Sequence, residues 1–302
     1  MMVSIIVPCY NQEAYLADTL DSILEQSYQH WECLMIDDGS TDHTGQIALE
    51  YCKRDKRFKY FYQENAGVSA ARNTAFQHIQ GNYVQFLDGD DMIQPEKLRS
   101  QVEYLEAHTD VQIVISDFIE VSSKAEMHRK HGLTPNEYRK SMDGKIMSSI
   151  LVHGNYIRIN APLARRSVYI NPVFDPSLKA IEDWDLWIRL ALENGHFHFL
   201  DTANGHAVIR TSSIGLSSDL EGMQKHYIPV LQKVFFHPKA QMKVRFFALL
   251  RASFMCLDRL FRGKKIRLYP NNKIAFASLL VIGSTLFLPL FAINKLRLLL
   301  KS

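Results

Sequence analysis

The feature that most constrains this chain is an alternation of short apolar runs with segments of helical periodicity. The runs "VSIIVP", "CLMID", "FKYFY", "YVQFL" and "VQIVIS" are rich in β-branched and aromatic residues, and helical spacing follows the first of them at Leu16, Leu20 and Ile23. Strands that are buried on both faces and joined by helices form a mostly parallel sheet with right-handed crossovers. The sequence therefore predicts an α/β fold with a Rossmann-like, mostly parallel sheet flanked by helices.

The loops that follow three of these strands carry polar residues. In chain order they are Pro8, Tyr10, Asn11 and Glu13, then Asp37 and Asp38, then Asp88, Asp90 and Asp91. Because ligands of parallel α/β sheets bind at the carboxyl ends of the strands, we expect these residues to line one edge of the sheet. The loops lack the glycine patterns with which dinucleotide-binding and P-loop proteins hold phosphates. A cation held by carboxylates would neutralise a bound nucleotide instead, and hard oxygen ligands favour Mg²⁺ or Mn²⁺ over zinc.

Each acidic motif also has a simpler interpretation. Within "DDGSTD", Ser40, Thr41 or Asp42 would cap the helix that follows, and "LDGDD" would be a solvated loop. An EF-hand is excluded, because the sixth loop position is Asp42 or Ile93 rather than glycine. Three carboxylates within four positions repel one another unless a cation or a hydrogen-bonding ligand offsets the repulsion, which favours a binding role for residues 88–91.

The C-terminal part of the chain differs from the rest in charge and hydropathy. From Arg259 onward there are nine Lys or Arg and no acidic residue, and residues 274–293 form an uncharged run of twenty. That length can span a bilayer, although a buried helix stays open as an alternative, as does a segment lying in the interface, which Pro289 favours. More bases precede the run than follow it, which predicts a body on the cytoplasmic face of the membrane. Four widely spaced cysteines suit that reducing compartment.

An ordered set of motifs resembles glycosyltransferase family 2. The motifs are "VSIIVPCYNQEAYLADTLDSILEQSY", "DDGSTD", "NAGVSAARN", "FLDGDD" and "IEDWDLWIRLA". The resemblance covers roughly residues 2–215. It implies a GT-A fold with a catalytic domain in residues 1–215, followed by a helical, membrane-associating C-terminal region in 216–302. It also implies an inverting, metal-dependent enzyme of the hexosyltransferase type, with a nucleotide-diphosphate sugar as donor and a saccharide or lipid-linked acceptor. No nucleic-acid partner is predicted.

The resemblance assigns roles on the donor side of the site. Tyr10 would lie against the base, and Asp38 would accept its imide N–H, which suits uracil and hence a UDP-sugar. The remaining residues of the donor pocket would be Pro8, Asn11, Glu13, Arg72, Asp88 and Gly89. Arg72 would approach the phosphates, with a salt bridge to a nearby acid as the alternative, and Asp88 would bind the ribose hydroxyls. Asp90 would hold Mn²⁺ or Mg²⁺, which stabilises the charge on the leaving group.

The resemblance also assigns the acceptor side to "IEDWD". Asp183 would be the general base that takes the proton of the acceptor hydroxyl, with Glu182 and Trp184 in support. The simpler interpretation is that these acids favour the positive end of a helix dipole. The chain departs from the family where members carry an R-x-H segment, because Ser212 stands at the position of that histidine. The third metal ligand therefore stays open.

Two other functions remain as alternatives. A nucleotidyltransferase on a similar sheet would need a basic phosphate-binding loop after the first strand, and "PCYNQEAYL" contains no Lys or Arg. A non-catalytic scaffold that binds nucleotide sugar or lipid would have no need for Asp38, Asp88, Asp90 and Asp183 together.

Overall fold

The fold is given by a computed structural model, which describes residues 1–121, 154–193, 195–202, 204–211, 220–261 and 276–280. The strands are β1 (Val3–Cys9), β2 (Trp31–Asp37), β3 (Phe58–Tyr62), β4 (Tyr83–Phe86), β5 (Met92–Ile93), β6 (Ile113–Ser116), β7 (Phe118–Val121), β8 (Pro162–Arg165), β9 (Phe197–Leu200) and β10 (Ala207–Arg210). The longer helices are α1 (Leu16–Leu24), α2 (Thr44–Arg54), α3 (Val68–Phe76), α4 (Lys97–Ala107), α5 (Glu182–Leu192), α6 (Leu220–Phe236) and α7 (Met242–Phe261). Each apolar run that predicted a strand contains one.

A seven-stranded sheet forms the centre of the first compact unit, whose described residues lie in 1–121 and 155–211. Its strand order is β3-β2-β1-β4-β8-β6-β9. Among the described strands of this sheet, only β8 runs antiparallel to its neighbours. The predicted mostly parallel sheet is therefore confirmed.

The buried strand β1 organises the core of this unit. All seven of its residues are buried, and Val3, Ile5 and Val7 pack in one cluster with Leu16 and Leu20 of α1. Burial of each such side chain contributes about 1.5–3 kcal/mol. Because β2 and β4 flank β1 in parallel, the carboxyl ends of all three strands lie at one edge of the sheet.

A small second sheet was not predicted. It has the order β5-β10-β7, with β10 antiparallel to β5 and parallel to β7. Met92, Ile119, Val121 and Val208 form its own apolar cluster. Strand β5, which directly follows the "FLDGDD" loop, pairs in this sheet with β10, more than a hundred residues later in the chain. The pairing therefore fixes the position of the end of that loop.

The second compact unit contains the helices α6 and α7 and residues 276–280. Phe276 is buried and its ring lies 5.6 Å from that of Phe235 and 5.9 Å from that of Phe236. Across the part of the chain that the structure describes, no helix is both long and apolar enough to cross a bilayer. The predicted membrane segment 274–293 lies outside the described residues except for 276–280, and it stays a prediction.

Candidate active site

Two loops at the carboxyl edge of the sheet are fastened to each other. Asn11, which adopts a left-handed backbone with φ of 52°, donates its N–H to Ser40 Oγ at 3.0 Å and accepts from the Thr41 N–H at 2.9 Å through Oδ1. Glu13 Oε2 accepts the backbone N–H of His43 at 3.0 Å, and this bond lowers the pKa of the Glu13 carboxyl. Asn11 and Glu13 therefore hold the shape of this edge, and their predicted places in the donor pocket stay predictions.

The two acids at the carboxyl end of β2, Asp37 and Asp38, have different surroundings. Asp37 is buried and accepts the Ser40 N–H and the Tyr60 hydroxyl, both at 2.8 Å, so it is a structural brace. Asp38 binds the loop between β3 and α3, and its donors are Gln63 Nε2 at 2.6 Å, Ala66 N at 2.9 Å and Gly67 N at 2.8 Å. Only the Gly67 bond uses Asp38 Oδ2, and a carboxylate oxygen can accept two bonds.

Asp38 Oδ2 therefore retains the capacity to accept one more N–H. Tyr10, at the end of β1, is 48% exposed and offers a ring face for stacking, while Pro8 is buried within the strand. These positions suit the base-binding roles that the resemblance assigns to Tyr10 and Asp38.

The "FLDGDD" loop gives each of its three carboxylates a different task. Asp91 is buried and accepts the Arg210 N–H at 2.7 Å as well as a bond from Asn160 Nδ2, so it anchors the loop. Asp88 accepts from Arg72 at 2.6 Å. For Asp90, burial and then the neighbouring charge of Asp88 raise the carboxyl pKa to about 6, and among the described residues its own N–H is the hydrogen-bond donor that favours its charged form.

Asp90 is consequently the carboxylate of this loop that a cation would satisfy. No group of three or more His, Cys, Asp or Glu within the described ranges is arranged to hold a metal alone. A hard cation takes six or more oxygens, so the diphosphate of a donor and water would have to complete its shell at Asp90. The protein oxygen ligands at Asp90 therefore fit a metal site that is shared with the bound nucleotide sugar better than a site formed by protein ligands alone.

Gly89 allows the loop to lie against the end of β1. A Cβ atom at this position would stand 3.1 Å from the Pro8 carbonyl oxygen and 3.3 Å from Cys9 Cβ. The Gly89 carbonyl also accepts the Thr19 hydroxyl at 3.0 Å. Glycine suits this position because a Cβ atom would have to displace its neighbours in Pro8 and Cys9 by a few tenths of an ångström. The predicted place of Gly89 in the donor pocket stays a prediction.

Arg72 joins the donor loop to the start of α5. Its guanidinium is 2% exposed and donates to Asp88 Oδ1 at 2.6 Å and to Glu182 Oε1 at 2.7 Å. The salt bridge that stood as the alternative for Arg72 is thus the contact that the structure shows. Glu182 is held by this guanidinium and Asp185 pairs with Arg189, whereas Asp183 takes part in neither salt bridge.

Asp183 sits at a strained helix start. Ile181, the residue before α5, has a φ of 56°, which is rare for a β-branched side chain. Asp183 Oδ2 accepts from Asn155 Nδ2 and Oδ1 from the Trp184 N–H, both at 2.8 Å. Burial and then the adjacent charge of Glu182 raise the Asp183 pKa to about 6. A carboxylate with that pKa is ionised at neutral pH and more basic than usual, as a general base should be.

Sequence reasoning missed two residues that hold the "FLDGDD" loop. Asn160, which is 1% exposed, accepts the Asp88 N–H at 2.9 Å through Oδ1 and donates to Asp91. Arg210 donates to the Asp90 carbonyl at 3.1 Å and to Asp18 at 2.9 Å. Both approach from segments distant in the chain, and no local motif signals them.

Asn160 is itself held by a buried polar network. Its carbonyl accepts from Gln85 Nε2 at 2.9 Å, and Gln85 Oε1 accepts from Lys97 Nζ at 2.6 Å. Lys97 has no exposed surface, also donates to Gln101 Oε1 at 2.7 Å, and has its pKa lowered by burial. The network connects α4 to the loop that carries Asp90, so the position of this carboxylate depends on residues well outside the motif.

We expect Asn160→Ala to weaken donor and Mn²⁺ affinity by roughly tenfold, because the loop loses one acceptor and one donor, each worth about 1 kcal/mol. Transfer at saturating donor should change little, since Asn160 touches no acid of α5 in the structure's hydrogen bonds. Titration calorimetry with UDP and Mn²⁺ measures the affinity.

Gln26→Ala is the matched control for this variant. The Gln26 amide is equally buried and binds the Gln94 carbonyl at 2.9 Å and the Leu98 N–H at 3.2 Å. It should lower stability without changing donor affinity. Equal losses of affinity in both variants would show that Asn160 contributes stability alone.

Comparisons with known proteins find similar sequences. Residues 4–162 match the family model described as glycosyl transferase family 2. The Streptococcus pneumoniae glycosyltransferase GlyA is 38% identical over 141 residues, which is 47% of this chain and 20% of that protein. TuaG of Bacillus subtilis, provisionally a teichuronic acid biosynthesis glycosyltransferase, is 46% identical over 105 residues, 34% of this chain and 42% of that protein. The chain thus spans less than half the length of both relatives.

Solved structures share the fold. S. aureus TarS in complex with UDP-GlcNAc superposes with a TM-score of 0.65 at 21% identity, covering 87% of this chain and 74% of that one. The Pyrobaculum calidifontis mannosyltransferase PcManGT, in complex with GDP-Man and Mn²⁺, gives 0.60 at 19% identity, with 95% and 80% covered. At these identities the likeness concerns the fold, and it confirms the predicted GT-A type.

Proposed function

This chain belongs to glycosyltransferase family 2, and from that premise we propose that it is a metal-dependent, inverting glycosyltransferase. Its donor is a nucleotide-diphosphate sugar, with UDP as the carrier, and its acceptor is a hydroxyl of a saccharide or lipid-linked glycan in cell-envelope polysaccharide biosynthesis. The protein works at the cytoplasmic face of the membrane, held there by the segment 274–293.

One observation carries the proposal. A single guanidinium, that of Arg72, binds Asp88 in the donor loop and Glu182 at the start of α5. Arg72 therefore links the loop that carries Asp90 to the helix start that carries Asp183, and the pKa values of both of these carboxyls are raised. Two acids with raised pKa values in different surroundings are typical of an active site in which one carboxylate binds a cation and the other accepts a proton.

The donor assignment is supported by Asp38 and by the relatives. Asp38 Oδ2 is an acceptor facing the loop of Gly67, and uracil offers an N3–H donor to such an oxygen. TarS was solved with UDP-GlcNAc, and TuaG is linked to an envelope polysaccharide. PcManGT, which binds GDP-Man with Mn²⁺, supports a divalent cation.

The chain's own residues have distinct parts in the reaction. Asp183 accepts the proton of the acceptor hydroxyl as its oxygen attacks the anomeric carbon, and one displacement inverts configuration. Arg72 positions Asp88 and Glu182 relative to each other. Asp90 would hold a divalent cation, which would neutralise charge on the departing diphosphate.

A thermal-stability screen of nucleotide sugars tests this function. We expect UDP-sugars with Mn²⁺ to raise the melting temperature, because a ligand at a hundred times its Kd adds about 2.7 kcal/mol of stability. That corresponds to a shift of several degrees for a domain of this size. The shift should vanish with EDTA. Absence of a shift with every nucleotide sugar, or an equal shift with free metal alone, would contradict the assignment.

A further inference from the structure

The turn between α6 and α7 is held by hydrogen bonds from a side chain of α7. Helix α6 ends at Phe236 and α7 begins at Met242. The guanidinium of Arg245 donates to the Ala240 carbonyl at 2.8 Å and to the His237 carbonyl at 3.0 Å. These bonds tie α7 to the turn that precedes it, in which the His237 carbonyl also accepts the Ala240 N–H at 3.0 Å. We call residues 237–246 the hairpin tip.

The hairpin tip exposes large apolar side chains. Met242 is 80% exposed and Phe246 is 53% exposed. They lie four residues apart on α7, so they share one face of the helix. Only seven large apolar residues of the described part of the chain are 47% exposed or more, and two of them lie four positions apart on α7. A pair of adjacent exposed apolar groups on a fixed backbone marks a contact surface.

The charge around the hairpin tip has one sign. Residues 222–257 contain six Lys or Arg and no Asp or Glu. Lys243, between the two apolar residues, is exposed, and so is Lys239 in the turn. Two copies of the chain would repel each other at this surface. A suitable partner has a negatively charged surface with an apolar layer directly below it. The interface of an anionic bilayer has both properties.

We propose that the hairpin tip inserts Met242 and Phe246 into the headgroup region of an anionic membrane, with Lys243 against the lipid phosphates. The residues of the hairpin tip do not belong to the predicted membrane segment 274–293. The contact does not depend on the glycosyltransferase assignment, because no residue of the donor or acceptor site belongs to the hairpin tip.

Tryptophan fluorescence of the full chain locates the contact. The three native tryptophans, Trp31, Trp184 and Trp187, are at most 2% exposed, so a probe in Phe246→Trp is distinguishable from them. Vesicles of brominated phosphatidylcholine with phosphatidylglycerol should quench this probe roughly twofold and shift its emission to the blue, because interfacial helices bury their apolar face about 5–10 Å deep. Vesicles without phosphatidylglycerol should have much less effect, and Lys243→Glu should weaken the quenching.

Ile170→Trp is the matched control, since Ile170 is 65% exposed in the first unit. It should not be quenched. An unquenched Phe246→Trp, quenching of both probes, or quenching independent of anionic lipid would each overturn the proposal. A blue shift that grows with protein concentration without vesicles would assign the hairpin tip to self-association instead. Should Phe246→Trp lower the melting temperature, Met242→Trp at the more exposed position repeats the test.

Discussion

Asp183→Asn is expected to lower sugar transfer by roughly a hundredfold or more, the usual scale for loss of a positioned general base. Donor and metal affinity should stay close to wild type, because the bonds of Asp183 are to Asn155 and Trp184 rather than to the donor loop. Asparagine keeps the shape and can still accept the Trp184 N–H. Single-turnover transfer and calorimetry with UDP-sugar and Mn²⁺ measure the two quantities separately.

Asp185→Asn is a control within the same helix. Asp185 is buried and pairs with Arg189 at 2.8 Å, so its loss should reduce stability and leave the rate of the folded enzyme unchanged. The wild-type rate should also fall as the pH drops below about 6, where Asp183 becomes protonated. Lost donor binding with normal chemistry at saturating donor would place Asp183 in the donor pocket, and the base would lie elsewhere.

Asp90→Asn is expected to remove most metal-dependent activity, a loss of roughly a hundredfold or more, because the departing diphosphate would lose its bound cation. The free protein should be at least as stable as wild type. Since the folded-state pKa of Asp90 lies at about 6, above its usual value, the ionised group destabilises the fold at neutral pH. Protonation of Asp90 should therefore increase the free energy of unfolding of the wild-type protein as the pH falls through about 6. Asp90→Asn should lack this increase.

Asp110→Asn is the control for Asp90, because Asp110 is exposed and pairs with His196 away from the donor loop. It should leave activity and Mn²⁺ affinity unchanged. The measurements are Mn²⁺ titration of transfer and melting curves at pH 5 and 7.5. Unchanged Mn²⁺ affinity in Asp90→Asn would remove this residue from the metal site.

The parts of the fold that depend on local pattern could be predicted from the sequence. Strands such as β1 and β2 are mostly apolar, are buried throughout and are followed by turn residues, so both their existence and the edge at which their loops meet follow from neighbouring residues. The small sheet could not be predicted, because β5 has two residues and pairs with β10 over a hundred positions away. The antiparallel β8 is a four-residue strand that begins with proline, which weakens any strand signal.

The candidate site divides in the same way. Asp38, Asp90 and Asp183 stand in motifs that the chain shows directly. Their supports do not: Asn160 reaches the donor loop from 70 residues away, and only the folded chain brings it there. Arg72 shows what the sequence cannot decide. The sequence allows a salt bridge between Arg72 and any of several acids, and only the folded structure shows that its partners are Asp88 and Glu182.

Release of UDP from UDP-sugars by the full-length protein, with Mn²⁺ or with EDTA and in the presence of an acceptor extract, tests the central claim most directly. We predict release that requires the metal and is lost in both Asp90→Asn and Asp183→Asn, while only Asp183→Asn still binds the donor with normal affinity. UDP-sugar binding without metal-dependent release in the wild-type protein would contradict the account and identify the chain as a nucleotide-sugar-binding scaffold.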